Sequence, residues 1–109
     1  MSIEDWRKKI DELDQKLVDL LNERANAARQ IGLLKRDSQL PIYEPDREKQ
    51  VIANIKEFNR GRLPERDLMQ LYERIMDVMR KIQHEQAVAE KQARSTAAGS
   101  TELDAEVND

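Results

Sequence analysis

Residues 3–37 have the sequence IEDWRKKIDELDQKLVDLLNERANAARQIGLLKRD, in which one set of positions recurs at alternating steps of four and three residues. Such spacing places side chains along one seam of an α-helix. No proline interrupts the segment, and Ser2 followed by Asp5 forms a weaker version of a capping box. We therefore predict a single helix over residues 3 to about 37. The seam consists of Trp6, Ile10, Leu13, Leu17, Leu20, Arg24, Ala27, Ile31 and Leu34.

The predicted helix is too long for the size of the chain. At 1.5 Å per residue it extends roughly 50 Å. A compact monomer of 109 residues is only about 30–35 Å across. A single domain this small also has a marginal core. We therefore expect the helix to extend beyond its own domain and a second copy of the chain to cover its apolar seam.

A short second helix is predicted after a turn around Pro41. It begins near Pro45, since proline favours the first helical position, and acidic residues suit that end of a helix. Its apolar stripe starts with Glu48 and continues through Val51, Ile52, Ile55 and Phe58. The helix is expected to close at the sequence NRGR, with Gly61 in the left-handed conformation.

A third helix is predicted from Pro64 to about Glu90. Residues 91–109 lack a periodic apolar pattern, and we expect a disordered tail there. The predicted fold class is all-α, a long–short–long three-helix protomer with its domain over residues 1–90. The stripe of the third helix consists of Leu68, Leu71, Tyr72, Ile75, Val78, Met79 and Ile82.

The composition excludes several classes of function. Charged residues make up 38% of the chain and aromatic residues 4%, which is typical of exposed amphipathic helices. The net charge of −3 argues against a nucleic-acid partner. Cysteine is absent, so disulfides and thiolate chemistry are excluded. No apolar run is long enough to span a membrane, and we expect a cytoplasmic protein without a membrane partner.

Four polar residues occupy apolar positions of the predicted helices: Arg24, Lys35, Glu48 and Gln83. Taken singly they have ordinary explanations, such as an arginine that reaches the surface or an acid favoured by a helix dipole. Together, two cations, a carboxylate and an amide lie on faces that must pack against each other. Burial without partners would cost several kcal/mol, roughly 1–3 kcal/mol for each group. A small dianionic ligand would satisfy them.

The sequence resembles the all-helical chorismate mutases over residues 3 to about 88. The resemblance rests on the R-x-x-I-D-x-L-D start, the L-L-x-E-R stretch, the G-x-x-K ending, the sequence YEPDREKQ and the sequence MRKIQ. It implies three-helix protomers that intertwine into a homodimer with two active sites. It also implies conversion of chorismate to prephenate in the shikimate pathway of aromatic amino-acid biosynthesis, with no cofactor and no metal.

By this resemblance, Arg24 would bind one substrate carboxylate, and Arg47 would support the same region. Arg7 would reach the site of the partner protomer and bind the second carboxylate. The spacing agrees, because Arg7 and Lys35 lie about 42 Å apart along one helix and cannot meet within a chain. An antiparallel partner helix would bring them together in shared active sites.

The remaining roles concern the ether oxygen and the hydroxyl of the substrate. By resemblance, Lys35 and Gln83 would donate to the ether oxygen, and Glu48 would accept from the hydroxyl with Glu44 nearby. Many relatives have Asp where this chain has Glu44, a change of reach but not of charge. Some have Ser where this chain has Met79, so one hydrogen bond to substrate is expected to be absent.

Two other functions fit parts of the pattern. An isochorismate-pyruvate lyase shares the fold and most of the cations, but relatives with that activity lack the inward acid that matches Glu48. A non-catalytic helical dimerisation module would explain the seam. It gives no reason for Arg24 to interrupt that seam.

Overall fold

The protein forms three α-helices joined by short connections. The computed structural model describes the backbone of residues 1–98 and the side chains of residues 1–85. Helix α1 spans Ile3–Asp37, α2 spans Pro45–Phe58 and α3 spans Glu65–Ala98. No strand occurs in residues 1–98. The predicted all-α, long–short–long order is confirmed.

The start of α1 is the predicted capping box. The Ser2 hydroxyl accepts from the backbone N–H of Asp5 at 3.1 Å, and the Ser2 backbone N–H donates to the Asp5 carboxylate at 2.9 Å. The backbone hydrogen bond from Ser2 lowers the pKa of Asp5. These bonds satisfy helix-end groups that otherwise lack partners, so α1 begins where the sequence predicts.

The left-handed residue of this fold is not the one predicted. Gly61 has no positive φ. Helix α2 ends at Phe58, and its C-cap Asn59 is extended, with φ −74° and ψ 96°. Asn59 then bridges the turn, because its side-chain amide donates to the Leu63 carbonyl at 2.9 Å. The positive φ, 58°, belongs to Gln39 after α1. The side-chain hydrogen bond of Asn59 therefore closes this turn in place of the predicted left-handed Gly61.

Helix α3 is longer than predicted. It continues past Glu90 to Ala98, so residues 91–98, which we expected in the disordered tail, are helical. Their sequence, KQARSTAA, is rich in residues of high helix propensity and contains neither proline nor glycine. Propensity alone extends the helix where no apolar stripe exists. The rest of the predicted tail, residues 99–109, lies outside the described residues.

The core of the single chain is small and lies where α3 packs against α1 and α2. Its buried apolar side chains are Ala28, Val51, Met76 and Met79. Of the stripe predicted for α3, Met79 is buried, whereas Leu71 and Val78 are exposed in the single chain, and Met76, which the stripe did not include, is buried. No helix of the described part is long and apolar enough to cross a bilayer.

The apolar seam of α1 is largely exposed. Trp6, Leu17 and Leu20 have exposed fractions of 56%, 56% and 60%. The radius of gyration is 19.0 Å, whereas a compact chain of this length has about 13 Å. A continuous apolar face this large is rare on a monomeric protein. The helix length and the exposed seam together favour a homodimer.

We predict that folding and dimerisation are inseparable. The core of one chain is too small to stabilise α1, so helicity and the dimer mass should be lost together on dilution or in denaturant. Sedimentation and circular dichroism over a concentration series check this. A fully helical monomer at micromolar concentration would contradict the prediction.

Candidate active site

The three helices form a cleft lined by both charged and apolar side chains. Its volume is about 440 Å³, and its wall combines the C-terminal half of α1, the connection after it, the start of α2 and the middle of α3. The cleft therefore exists only because α3 packs against both other helices. The lining residues are Arg24, Ala27, Ala28, Ile31, Lys35, Ile42, Glu44, Arg47, Glu48, Val51, Met76, Met79, Arg80 and Gln83.

The cleft gathers most of the residues predicted from the sequence. Six of them line it, and these are Arg24, Lys35, Glu44, Arg47, Glu48 and Gln83. Arg7 does not. It lies near the start of α1, where its exposed side chain pairs with Glu4 at 2.8 Å. A contribution of Arg7 to this kind of cleft would have to come from another chain.

Lys35 is held in the wall of the cleft. Its Nζ donates to the Ile42 carbonyl at 2.9 Å and pairs with the Glu44 carboxylate at 2.7 Å, and its side chain is only 11% exposed. Glu44 stands at the N-cap of α2 but makes no side-chain capping bond there. Its carboxylate is directed to Lys35 instead. The connection between α1 and α2 thus orients the ammonium group.

Glu48 is held by a residue that the sequence analysis did not single out. Arg80 Nε donates to Glu48 Oε2 at 2.6 Å, and Arg80 also pairs with Asp77. The hydrogen bond to Glu48 raises the pKa of Arg80. The only signal in the sequence was a cation three residues before Gln83, beside an apolar stripe.

Three donors face the cleft without a partner in the described part of the chain. They are the guanidinium groups of Arg24 and Arg47 and the side-chain amide of Gln83. Gln83 is 8% exposed, and it is the one polar residue counted as buried among the described side chains. The amide atoms of Gln83 are not fully enclosed, so they are accessible to a ligand with acceptor oxygens.

Cations outnumber acids on the cleft wall. Arg24, Lys35, Arg47 and Arg80 face two carboxylates, Glu44 and Glu48. The formal excess is two positive charges, although the chain as a whole carries −3. The local charge favours a small dianion, and the carboxylates can accept from a hydroxyl on the same ligand.

The family follows from comparison with known proteins. The model of the family described as chorismate mutase type II matches residues 6–84. The chain belongs to this family. A bifunctional chorismate mutase/prephenate dehydratase of Aquifex aeolicus is 33% identical over 91 residues, which cover 80% of this chain and 25% of that protein. The chain thus matches about a quarter of the length of that relative.

Solved structures share the fold over most of their length. The Thermus thermophilus chorismate mutase, form II, superposes with a TM-score of 0.74 at 28% identity, covering 75% of this chain and 93% of that one. The chorismate mutase of Helicobacter pylori in complex with prephenate gives a TM-score of 0.71 at 32% identity, covering 77% and 91%.

Gly32 sets the distance between α1 and α3 at Gln83. A Cβ on Gly32 would lie 3.2 Å from Cβ and Cγ of Gln83 and 3.3 Å from its Cα. Because the Cα belongs to the backbone, α3 would have to shift by a few tenths of an ångström. The glycine therefore permits the close contact that presents the Gln83 amide to the cleft.

We predict that Gly32→Ala lowers the free energy of unfolding by about 1 kcal/mol, because overpacking exceeds the gain in helix propensity. Gly61→Ala is the matched control, since nothing lies within 4 Å of its Cβ and its φ is not positive. That control should be neutral or slightly stabilising. Denaturant unfolding at equal protein concentration measures both, and equal effects would contradict a special role for Gly32.

Proposed function

We propose that this protein is a chorismate mutase that converts chorismate to prephenate in the biosynthesis of phenylalanine and tyrosine. The observation that carries the proposal is the set of unpaired donors, Arg24, Arg47 and Gln83, in one cleft with Lys35 and Glu48. Chorismate has two carboxylates, an ether oxygen and a hydroxyl, so this set offers a partner to each kind of group. Membership in the family supports the same assignment.

The carboxylates would be held by arginines. Arg24 binds one of them, and Arg47 at the start of α2 supports this region. Guanidinium groups suit this role because their planar fork donates two parallel hydrogen bonds to a carboxylate. Arg7 of the partner protomer binds the second carboxylate. The two clamps together hold the substrate side chain folded over its ring.

The ether oxygen would receive hydrogen bonds from Lys35 and Gln83. This oxygen gains negative charge as its bond to carbon breaks, so donors directed at it bind the transition state more strongly than the substrate. Lys35 is already oriented by Ile42 and Glu44, and Gln83 by its contact with Gly32. Loss of one such donor typically raises the barrier by ~3–4 kcal/mol.

Glu48 would accept a hydrogen bond from the substrate hydroxyl, with Glu44 nearby. An ionised carboxylate only accepts hydrogen bonds. Glu48 therefore suits the substrate hydroxyl and disfavours binding of a substrate carboxylate at this place. The apolar face of Met79, which is 6% exposed, completes the wall. The cleft thereby discriminates between the two ends of the substrate by charge.

The reaction itself is a unimolecular [3,3] rearrangement, in which one carbon–oxygen bond breaks while one carbon–carbon bond forms. No proton has to be transferred, so the residues act by positioning and by electrostatic stabilisation. Lys35, Gln83, Arg24 and Glu48 are the catalytic groups in this scheme. They require neither a cofactor nor a metal.

The proposed functional unit is a cytoplasmic homodimer with two shared sites, formed by residues 1–90 of each chain. The exposed seam of α1 and the distance of Arg7 from the cleft of its own chain support this arrangement. An antiparallel partner helix would cover the seam and would also bring Arg7 of one chain to the cleft of the other.

The direct test is ultraviolet monitoring of chorismate loss, with prephenate identified as the product. Arg24→Gln should abolish most turnover, whereas Arg29→Gln, on the exposed surface of the same helix, should retain it. Isochorismate is assayed in parallel. Release of pyruvate from isochorismate without turnover of chorismate would favour a lyase, and no binding of either would favour a dimerisation module.

We predict that Arg7→Ala and Lys35→Ala complement each other. Each variant alone should be nearly inactive, but a heterodimer carries both lesions in one site and leaves the other intact. Random mixing should restore about a quarter of wild-type turnover, as expected for a two-fold symmetric dimer. Absence of recovery, with heterodimers demonstrated by mass spectrometry, would argue against shared sites.

We predict that Gln83→Glu changes the pH dependence of turnover. An ionised glutamate would present an acceptor to an oxygen that gains negative charge, whereas a protonated one could still donate. The variant should be poor at pH 7.5 and improve toward acid pH. The wild type is the control, since its amide does not titrate. If the variant were as active as wild type and had the same pH profile, Gln83 would not be the donor to the ether oxygen.

A further inference from the structure

Arg80 lines the cleft but has no role in the mechanism proposed above. It lies on α3 one turn before Gln83, and its side chain is 33% exposed. Its contacts reach α2, the connection between α1 and α2, and α3 itself.

The guanidinium of Arg80 is fixed on several sides. Nε donates to Glu48 Oε2 at 2.6 Å, and Nη2 lies 3.5 Å from Glu48 Oε1. Nη2 also pairs with Asp77, one turn earlier on α3. The guanidinium carbon stands 5.2 Å from the centre of the Tyr43 ring, a cation–π distance. The group is therefore oriented before any ligand binds.

The pairing restricts Glu48 more than it stabilises the fold. Partly exposed ion pairs contribute little to stability, and the Glu48 side chain is 23% exposed. A glutamate side chain has several accessible rotamers, however, and a charge-assisted bond to a fixed guanidinium selects among them. The consequence is a carboxylate held at the cleft wall.

The pairing also affects the other cations of the cleft. Among the described residues, Arg80 is the partner of Glu48, while Arg24 and Arg47 have none. Without Arg80, the Glu48 carboxylate would be an unpaired anion in the same cleft as both arginines. It could then pair with one of them and compete with an anionic ligand.

We propose that Arg80 is a positioning residue: it orients the Glu48 carboxylate for the substrate hydroxyl and keeps it from occupying Arg24 and Arg47. This inference rests on the proposed function, since it assigns Arg80 a part in the same reaction. Arg80 acts through Glu48 and does not itself bind the substrate.

The test is a double-mutant cycle on kcat/KM for chorismate, with wild type, Arg80→Gln, Glu48→Gln and the double variant. Arg80→Gln should lower kcat/KM about tenfold in the wild-type background, a typical coupling between contacting residues. In the Glu48→Gln background the same change should cost less than about twofold. Arg74→Gln, an exposed arginine of α3, is the matched control and should have no effect in either background.

Additive effects would overturn the proposal, because a direct contact of Arg80 with substrate, or a general structural role, acts independently of Glu48. No effect of Arg80→Gln in the wild-type background would overturn it as well.

Arg80→Lys covers the case in which Arg80→Gln does not fold. Arg80→Lys keeps the positive charge, so its decrease in kcat/KM should be smaller than that of Arg80→Gln. The decrease should again disappear in the Glu48→Gln background. A wild type without chorismate turnover would refute the proposed function, whereas an active wild type with an additive cycle would refute only this role.

Discussion

The length of α1 is the constraint on which the rest of the structure depends. Its 35 residues form a rod of about 52 Å, of which only the C-terminal part packs against α3. The remainder exposes an apolar seam, and it also carries Arg7 away from the cleft of its own chain. One physical requirement, coverage of the seam, would therefore determine both the oligomeric state and the composition of the site. Both features support the proposed homodimer with shared sites.

The polar groups of the cleft fall into two sets: some have an ion-pair partner within the chain, and others have none among the described residues. Lys35 and Glu48 are oriented by ion pairs with Glu44 and Arg80, whereas Arg24 and Arg47 have no partner in the described residues. In the proposed mechanism, Lys35 and Glu48 are thereby preorganised for the ether oxygen and the hydroxyl, where direction matters most. Arg24 and Arg47 remain available for the substrate carboxylates, where charge matters most, and the unpaired Gln83 amide joins Lys35 at the ether oxygen. Such preorganisation is the main contribution that a protein can make to a rearrangement without intermediates.

The sequence predicted the helices well because their signals are local: the capping box at Ser2, the proline at the start of α2 and the heptad repeat. The sequence-based prediction failed at three features. Gly61 was expected to be left-handed, but the side chain of Asn59 closes that turn, and Gln39 adopts positive φ instead. Helix α3 was predicted to end too early, because the prediction required a periodic apolar pattern, whereas helix propensity alone extends the helix to Ala98. Four of the six predicted cleft residues occupy apolar positions, whereas Glu44 and Arg47 were named only through the family resemblance. Arg80 interrupts no stripe, and its pairing with Glu48 depends on the packing of α2 on α3.

The central claim, that an antiparallel second copy covers α1 and completes the site, is tested most directly by a distance between chains. The chain has no cysteine, so Lys8→Cys and Ser38→Cys each give a single position for a spin label. Mixed dimers of the two labelled chains should show, by pulsed electron paramagnetic resonance, a distance much shorter than the roughly 45 Å that separates these positions along one helix. Neither chain labelled alone should show it. Absence of this short distance in the mixture, with heterodimers demonstrated to form, would contradict the account.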